Sequence, residues 1–191
     1  EGGTLSPNHL RNASFEEVSD VVPPYWKPWG MPSVPPERLW ARWGVSDEGA
    51  WHGGRALRVA TVAGEASGFV SHQGGMTVGK PCTFSVWLKA DRPGFKAQLI
   101  YWEYPAGRWS KQAVTLDTAW GRHVFTLDSP SNTSVRAGVL AAPEQEGVFW
   151  ADAAQLEAGA AATPFALSAL DAAAEREALP TQAPRELAVA A

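Results

Sequence analysis

The chain has 191 residues, of which 45% are hydrophobic, and its net charge is −4. This length suits one domain with a sizeable core, and an acidic balance without a basic run argues against a nucleic-acid partner. No apolar run reaches the roughly 20 residues of a membrane span, so no membrane partner is expected.

The first quarter of the chain alternates candidate strands with a proline-rich segment. Leu10–Glu17 has the composition of a first strand. Six prolines within 18–38 exclude regular structure there, which predicts a long loop that carries Trp26 and Trp29. Leu39–Ser46 then alternates tryptophan with small or polar residues, as expected of a second strand.

A series of short candidate strands follows, separated by turn signals. In the segment Cys82–Ala90, Phe84, Val86 and Leu88 share one face, and this period of two predicts a half-buried strand. Strands that recur about every 10 residues are typical of an all-β sandwich. The other segments are Ala56–Val62, Gly68–His72, Lys96–Tyr104, Trp109–Leu116, Trp120–Leu127, Val135–Ala141 and 148–157.

The composition shifts after Ala158 toward good helix formers. Ser168–Leu179 predicts a short helix, with Ser168 and Asp171 as its capping residues, and Pro180 ends it. The predicted organisation is therefore a β-sandwich over residues 1–165. Residues 166–191 then form a helix and linker toward another domain.

Ten tryptophans exceed what a small β-domain can easily hide, which indicates a surface that stacks on a flat ligand. Trp102, Tyr104 and Trp109 cluster around one predicted hairpin turn, and Gln98 shares a strand face with Trp102. Glu103 lies on the opposite face of that strand. Because the sequence leaves open which face is core, Glu103 is a ligand-binding candidate together with Trp102, Tyr104, Trp109 and Gln98.

The remaining tryptophans divide between two interpretations. Trp26 and Trp29 are further ligand-binding candidates, or they pin the proline-rich loop to the domain. Trp87, Trp120 and Trp150 are expected in the core.

Asp152 is the one acidic residue within the hydrophobic run 148–156. A carboxylate in an apolar strand needs a cation or several hydrogen-bond donors, and calcium is the natural candidate because it prefers oxygen ligands. The four histidines show no zinc-ligand spacing. Catalysis of glycoside hydrolysis needs two facing carboxylates, and Glu103 is the only acid among the aromatic candidates.

The order and spacing of several segments resemble the jelly-roll carbohydrate-binding modules of families 4, 9 and 22, over roughly residues 8–165. The segments are Asn12–Glu17, Gly53–Val59, Thr83–Ala90, Trp120–Thr126, Asp152–Glu157 and Ala162–Phe165.

This resemblance implies a non-catalytic module that anchors a secreted bacterial glycoside hydrolase or polysaccharide lyase to its polysaccharide by aromatic stacking. It also implies a structural calcium held by Glu16 and Asp152, with a backbone carbonyl near His52. The alternative for the two acids is hydrogen bonding to the backbone alone. The rival functions are a structural spacer without sugar affinity and, less favoured, a small glycan-active enzyme.

Overall fold

The computed structural model describes residues 8–18, 23–30, 42–72, 74–131 and 133–178, with only the helix backbone from 174 onward. One helix, α1, spans Ala169–Ala178, and the described ranges contain no helix long and apolar enough to cross a membrane. The strands, in chain order, are β1 Trp26–Trp29, β2 Trp43–Ser46, β3 Ala56–Thr61, β4 Gly68–Ser71, β5 Gly74–Gly75, β6 Cys82–Ala90, β7 Phe95–Tyr104, β8 Arg108–Leu116, β9 Gly121–Leu127, β10 Ser134–Ala141 and β11 Gly147–Ala158.

These strands form two antiparallel sheets that pack face to face. The first sheet has the order β1-β4-β10-β7-β8, with β5 also paired to β10, and the second has the order β2-β3-β11-β6-β9. Alternate residues of each strand point inward, so Phe84 and Leu88 of β6 meet Leu99 and Tyr101 of β7 in one fully buried cluster. The predicted all-β sandwich is confirmed, and the strand predicted at Cys82–Ala90 has those bounds in the structure.

The predicted first strand at Leu10–Glu17 is wrong. The segment runs through turns and bends, and Asn12 and Phe15 have positive φ angles of 49° and 57°. It nevertheless lies along β11, where the His9 N–H donates to the Leu156 carbonyl over 2.8 Å. The apolar residues that suggested a strand are buried because the whole segment is packed against the sandwich, as Leu10 and Phe15 show.

The prediction of a long loop over 18–38 is corrected by β1, which spans Trp26–Trp29 inside it. Residues 19–22 and 31–41, including the start of the strand predicted at Leu39–Ser46, lie outside the described residues. Pro28 is tolerated because β1 ends the order of the described strands, among which β4 is its one partner. The Tyr25–His72 pair is hydrogen-bonded, so alternation along the ladder turns the nitrogen of Pro28 away from β4.

The predicted helix is present, and its first turn is tied to the sandwich. Ser168 caps it, because its Oγ accepts the Asp171 N–H over 3.1 Å. The Asp171 carboxylate accepts the Asn12 N–H over 3.0 Å. The Ala166 N–H donates to the side-chain oxygen of Gln155 over 2.8 Å. The boundary predicted after residue 165 therefore falls just before a segment that contacts the domain.

Truncation tests this boundary. A protein that ends at Phe165 is expected to fold cooperatively but to unfold at a lower temperature than one that ends at Ala178. The shorter protein loses the hydrogen bonds that Asp171 and Ala166 make to the sandwich, each worth about 1 kcal/mol, or about 2 kcal/mol together. Thermal unfolding of the two proteins gives the difference. Equal stabilities would show that the helix contributes nothing, and an unfolded shorter protein would move the domain boundary past residue 165.

Candidate functional site

The side chains of Trp29, Trp102, Tyr104 and Trp109 form a surface on the outward side of the first sheet, which we call the tryptophan face. Along β7, Tyr101 is fully buried, whereas Trp102 is half-buried and Tyr104 is 46% exposed. Consecutive strand residues point to opposite sides. The odd-numbered residues of β7 are therefore core, and the face that holds Trp102 is open.

The rings of the tryptophan face contact one another. Trp102 and Trp109 lie opposite each other on β7 and β8, with parallel rings at 2° and centroids 5.4 Å apart. Trp29 reaches both from β1, with its ring 5.4 Å from Trp102 and 5.2 Å from Trp109. Tyr104 meets Trp102 edge-on at 6.3 Å. The sequence predicted that Trp102 and Trp109 lie close together in a hairpin, and the structure shows that Trp29 contacts both.

The first sheet curves toward this face. β1 and β8 stand at opposite ends of the strand order, four spacings of about 4.8 Å apart, or about 19 Å in a flat sheet. The rings of Trp29 and Trp109 are nevertheless 5.2 Å apart, which two indole side chains cannot achieve across a flat sheet. Val70, Ile100 and Leu140 are buried beneath the rings. The tryptophan face is therefore a concave surface with an aromatic lining.

A hollow of about 370 Å³ lies on the same side of β7 and β8, beyond the tryptophans. Gln98 lines it together with Lys96, Thr115 and Glu144. The Gln98 amide carries both donors and an acceptor, which suits the hydroxyl groups of a polar ligand. The concave side thus combines stacked rings with a polar end.

Glu103, predicted among the ligand-binding residues, does not join this surface. Its side chain is fully buried on the inward side of β7. One carboxylate oxygen accepts bonds from the Ser131 N–H and hydroxyl, at 2.5 and 2.6 Å, and the other is 3.6 Å from Nε of Arg108. The correction follows from strand alternation, which turns Glu103 away from its neighbours Trp102 and Tyr104.

Trp26, which the sequence offered as a ligand-binding candidate, is a core residue in the structure. It is 3% exposed, and its ring lies 5.0 Å from that of Phe15 and 5.6 Å from that of Phe69. Its indole N–H donates to the Asn12 carbonyl over 3.0 Å. Alternation along β1 explains the division, since Trp26 points inward and Trp29 outward.

Asp152 lies fully buried in β11 and accepts hydrogen bonds from three backbone amides. Oδ2 accepts the N–H groups of Trp51 and His52, both over 2.8 Å, and Oδ1 accepts that of Ala153 over 2.6 Å. The pairing of β11 with β6 shifts register just after Asp152, and Ala153 has a φ of 47°. This bulge lets the carboxylate face a loop rather than the sheet.

Glu16 binds the same loop two residues further on. Its Oε1 accepts the N–H groups of Gly54 and Arg55, over 2.8 and 3.0 Å. A side chain at Gly53 would collide with this carboxylate, because a Cβ there would lie 2.2 Å from Oε1. The two acids predicted to meet, Glu16 and Asp152, are therefore both bound by the 51–55 loop.

The surroundings of Asp152 disfavour its charged form. Burial raises the pKa of Asp152 to about 7, and the charge of Glu16 adds to that rise, while the hydrogen bonds from His52, Ala153 and Trp51 oppose it. Two neighbouring carboxylates and the carbonyls of a loop are ligands that suit calcium. The ring of His52 packs against that of Phe165 with centroids 5.1 Å apart, and the contact of His52 with Asp152 is made by its backbone N–H.

A second aromatic surface, which the sequence did not predict, lies on the outward side of the second sheet. Trp51 stacks on Trp87 with centroids 4.1 Å apart at 15°, and it is 37% exposed. The Lys89 ammonium lies 4.8 Å from the Trp120 ring and 5.2 Å from the Trp150 ring. Trp87, Trp120 and Trp150 were expected in the core but are half-buried here. The period of two in β6 was a usable signal, because it places Trp87 with polar residues.

Several solved structures have the same fold. A family 61 carbohydrate-binding module in complex with β-1,4-galactotriose aligns with a TM-score of 0.58 at 16% identity, over 80% of this chain and 99% of that one. The family 22 xylan-binding domain from Paenibacillus barcinonensis aligns with a TM-score of 0.55 at 16% identity, over 78% and 94%. An arabinose-bound α-L-arabinofuranosidase aligns with a TM-score of 0.61 at 15% identity, over 91% of this chain and 30% of the enzyme.

No protein-family model matches the chain, and no curated protein does. The structural likeness covers most of the chain and rests on the two sheets described above. The chain has the jelly-roll sandwich fold of carbohydrate-binding modules.

Proposed function

We propose that this domain is a non-catalytic carbohydrate-binding module that holds a polysaccharide across the tryptophan face. The observation that carries the proposal is the parallel pair Trp102 and Trp109, set with Trp29 and Tyr104 on a concave sheet. The flat C–H face of a pyranose packs against an indole ring, and the Gln98 amide is suited to read the hydroxyl groups.

The acids near this surface support a binding role over a catalytic one. Hydrolysis of a glycosidic bond requires two carboxylates on either side of the bond. Glu103 is buried on the other side of β7, and among the described residues that line the hollow Glu144 is the only acid. We infer that any chemistry belongs to other domains of a parent enzyme.

The proposed parent is a secreted bacterial glycoside hydrolase or polysaccharide lyase. The alignment with 30% of an arabinofuranosidase supports this setting, since the matching fold there forms part of a larger enzyme. Tethering to the polysaccharide would raise the effective concentration of substrate at the catalytic domain. The alternative role, a spacer without sugar affinity, is the outcome if no glycan binds.

We also propose a structural calcium at Glu16 and Asp152. The burial of Asp152 and the proximity of a second carboxylate support it. The described ranges hold no group of three or more His, Cys, Asp or Glu side chains suited to a metal, so the remaining ligands would be backbone carbonyls, with one near His52, and water. Such an ion would hold the 51–55 loop against the sandwich.

Replacing Trp109 by alanine tests the binding role. The variant is expected to bind its glycan about tenfold more weakly, because a lost aromatic stack is worth about 1–2 kcal/mol. Affinity gels with soluble β-glucans, xylans, mannans, galactans and alginate would identify the ligand, and calorimetry would give the affinity.

The matched control is Trp51→Ala, which removes a more exposed tryptophan of the 51–55 loop that stacks on the outward side of the other sheet. It should leave the affinity unchanged. Retention of the wild-type protein on no gel would overturn the proposed function. Equal losses from Trp51→Ala and Trp109→Ala would remove the tryptophan face from the site.

A further inference from the structure

The tryptophan side of the first sheet is cationic, although the chain as a whole carries a net charge of −4. Strand alternation and the pairing register place four basic residues on the outward side. No Asp or Glu stands among the outward-facing residues of the described strands of this sheet. Among the described residues that line the far hollow, the one acid is Glu144, which follows β10. The four basic residues are Lys27, Lys96, Lys111 and Arg136.

Two of these cations lie directly beside the stacked rings. Arg136 is opposite Trp102 on the neighbouring strand, and its guanidinium lies 5.0 Å from the Trp102 ring centre. The Lys111 ammonium lies 6.0 Å from the ring of Trp109. A sugar that stacks on these rings would bring its substituents close to both positive charges.

The side chain of Arg136 has no hydrogen bond or ion pair with the described residues. Its Nε is buried without a hydrogen-bond partner in the described part of the chain, and no ion pair there includes it. Arg42, by contrast, is paired with Glu65 at 2.7 Å. An unpaired guanidinium in a concave, half-buried setting binds a carboxylate or sulfate group more strongly than a surface lysine would.

Lys89 of the second sheet offers a comparison, because it also lies over tryptophan rings but has a hydrogen-bond partner. Its ammonium donates to the Gly49 carbonyl over 3.2 Å. The Trp120 indole N–H donates to the same carbonyl over 3.1 Å. Lys89 thus has a backbone partner that fixes a loop, whereas no described hydrogen bond or ion pair occupies Arg136.

We propose that the ligand of the tryptophan face is an anionic polysaccharide, whose rings stack on Trp102 and Trp109 and whose acidic groups bind Arg136 and Lys111. This proposal rests on the proposed carbohydrate-binding function and names its substrate class. The acidic group is the carboxylate of a uronic acid or a sulfate ester, because both offer oxygens to a guanidinium.

Matched polymers test the charge of the ligand. Polygalacturonate is compared with its methyl ester, carboxymethylcellulose with hydroxyethylcellulose, and dextran sulfate with dextran. Tighter binding of the acidic member, by about tenfold or more, is expected because charge-assisted hydrogen bonds are stronger than those between neutral groups. The affinity should also fall as ionic strength rises from about 0.01 M to about 1 M. The first two pairs report carboxylate recognition, and the third reports sulfate recognition.

Two variants locate the effect. Arg136→Gln should lower affinity for the acidic polymer about tenfold, and Arg136→Lys should restore part of it because the charge returns. The control is Arg58→Gln, which removes the same charge from β3 in the other sheet. Unfolding temperatures show whether the Arg136 variants remain folded.

The outcomes separate this proposal from the proposed function. Equal binding of neutral and acidic members would overturn the anionic ligand while keeping carbohydrate binding. Binding of no polymer in this panel or among the neutral glycans would overturn both. A loss from Arg58→Gln as large as that from Arg136→Gln would indicate unspecific charge attraction and contradict the proposal.

Discussion

Replacing Trp26 by alanine is expected to lower the free energy of unfolding by about 3–5 kcal/mol, the usual cost of truncating a buried aromatic side chain. Trp26 is 3% exposed, and its ring packs against those of Phe15 and Phe69. The variant also loses the indole hydrogen bond to the Asn12 carbonyl. For a domain of this size the melting temperature should fall by about 10 °C. Denaturant unfolding and calorimetry measure both quantities.

Trp29→Ala is the matched control, because it removes the same side chain from the same strand on the opposite face. Trp29 is half-buried against Trp102 and Trp109. Its loss should cost about 1–2 kcal/mol of stability but should weaken glycan binding. A Trp26→Ala protein that is as stable as Trp29→Ala would contradict the assignment of the two faces of β1.

Calcium is expected to raise the melting temperature of the wild-type protein but not that of Asp152→Asn. A ligand that binds only the folded state at about 100 times its dissociation constant stabilises it by about 2.7 kcal/mol. The control is Asp91→Asn. Asp91 also accepts a backbone hydrogen bond, from Val148 over 2.9 Å, but it is exposed and lies outside the carboxylate pair. This variant should retain the calcium effect.

The same experiment has a pH dependence whose sign is fixed by Asp152. Its pKa is about 7 in the folded protein and 3.8 ordinarily, so the calcium-free folded state binds this proton more tightly than the unfolded state. In the calcium-free protein, the contribution of Asp152 to the free energy of unfolding is therefore complete below about pH 4, and it is lost as the pH rises to about 7. Calcium needs the ionised carboxylate, so its stabilising effect should grow over that interval. Chelation that leaves the melting temperature of calcium-loaded protein unchanged at pH 8 would rule out the site.

Sequence periodicity predicted the strands that have one face in the core and the other face outward. In β6, alternate apolar residues point into the core, so local pattern and final structure agree. Leu10–Glu17 shows the limit of such patterns. Its burial comes from packing against β11, while the positive φ angles of Asn12 and Phe15 break any strand. Composition records that a segment is apolar, but it does not record the long-range contacts that bury it.

The candidate site divides in the same way. Trp102 and Trp109 were predictable as a pair because one turn joins their strands. The inward position of Glu103 was not, because both faces of β7 carry aromatic residues and only the packing of Tyr101 decides between them. The contact of Trp29 with this pair depends on the curvature of the whole sheet, which no local pattern records. Asp152 was predictable, since an acid in an apolar strand requires a partner. Glu16 was paired with it only through the family resemblance, because its own segment forms no strand.

The position of Pro28 has a consequence for how these molecules behave at high concentration. An unpaired strand at the end of a sheet is a template for strand addition by another copy, which leads to aggregation. On the side of β1 that no described strand pairs with, the nitrogen of Pro28 faces away from β4 and has no hydrogen to donate. β8, at the other end, carries the exposed charges of Arg108 and Lys111. Both ends of the first sheet thus resist edge-to-edge association, so the concave side can stay open in a protein that remains dispersed.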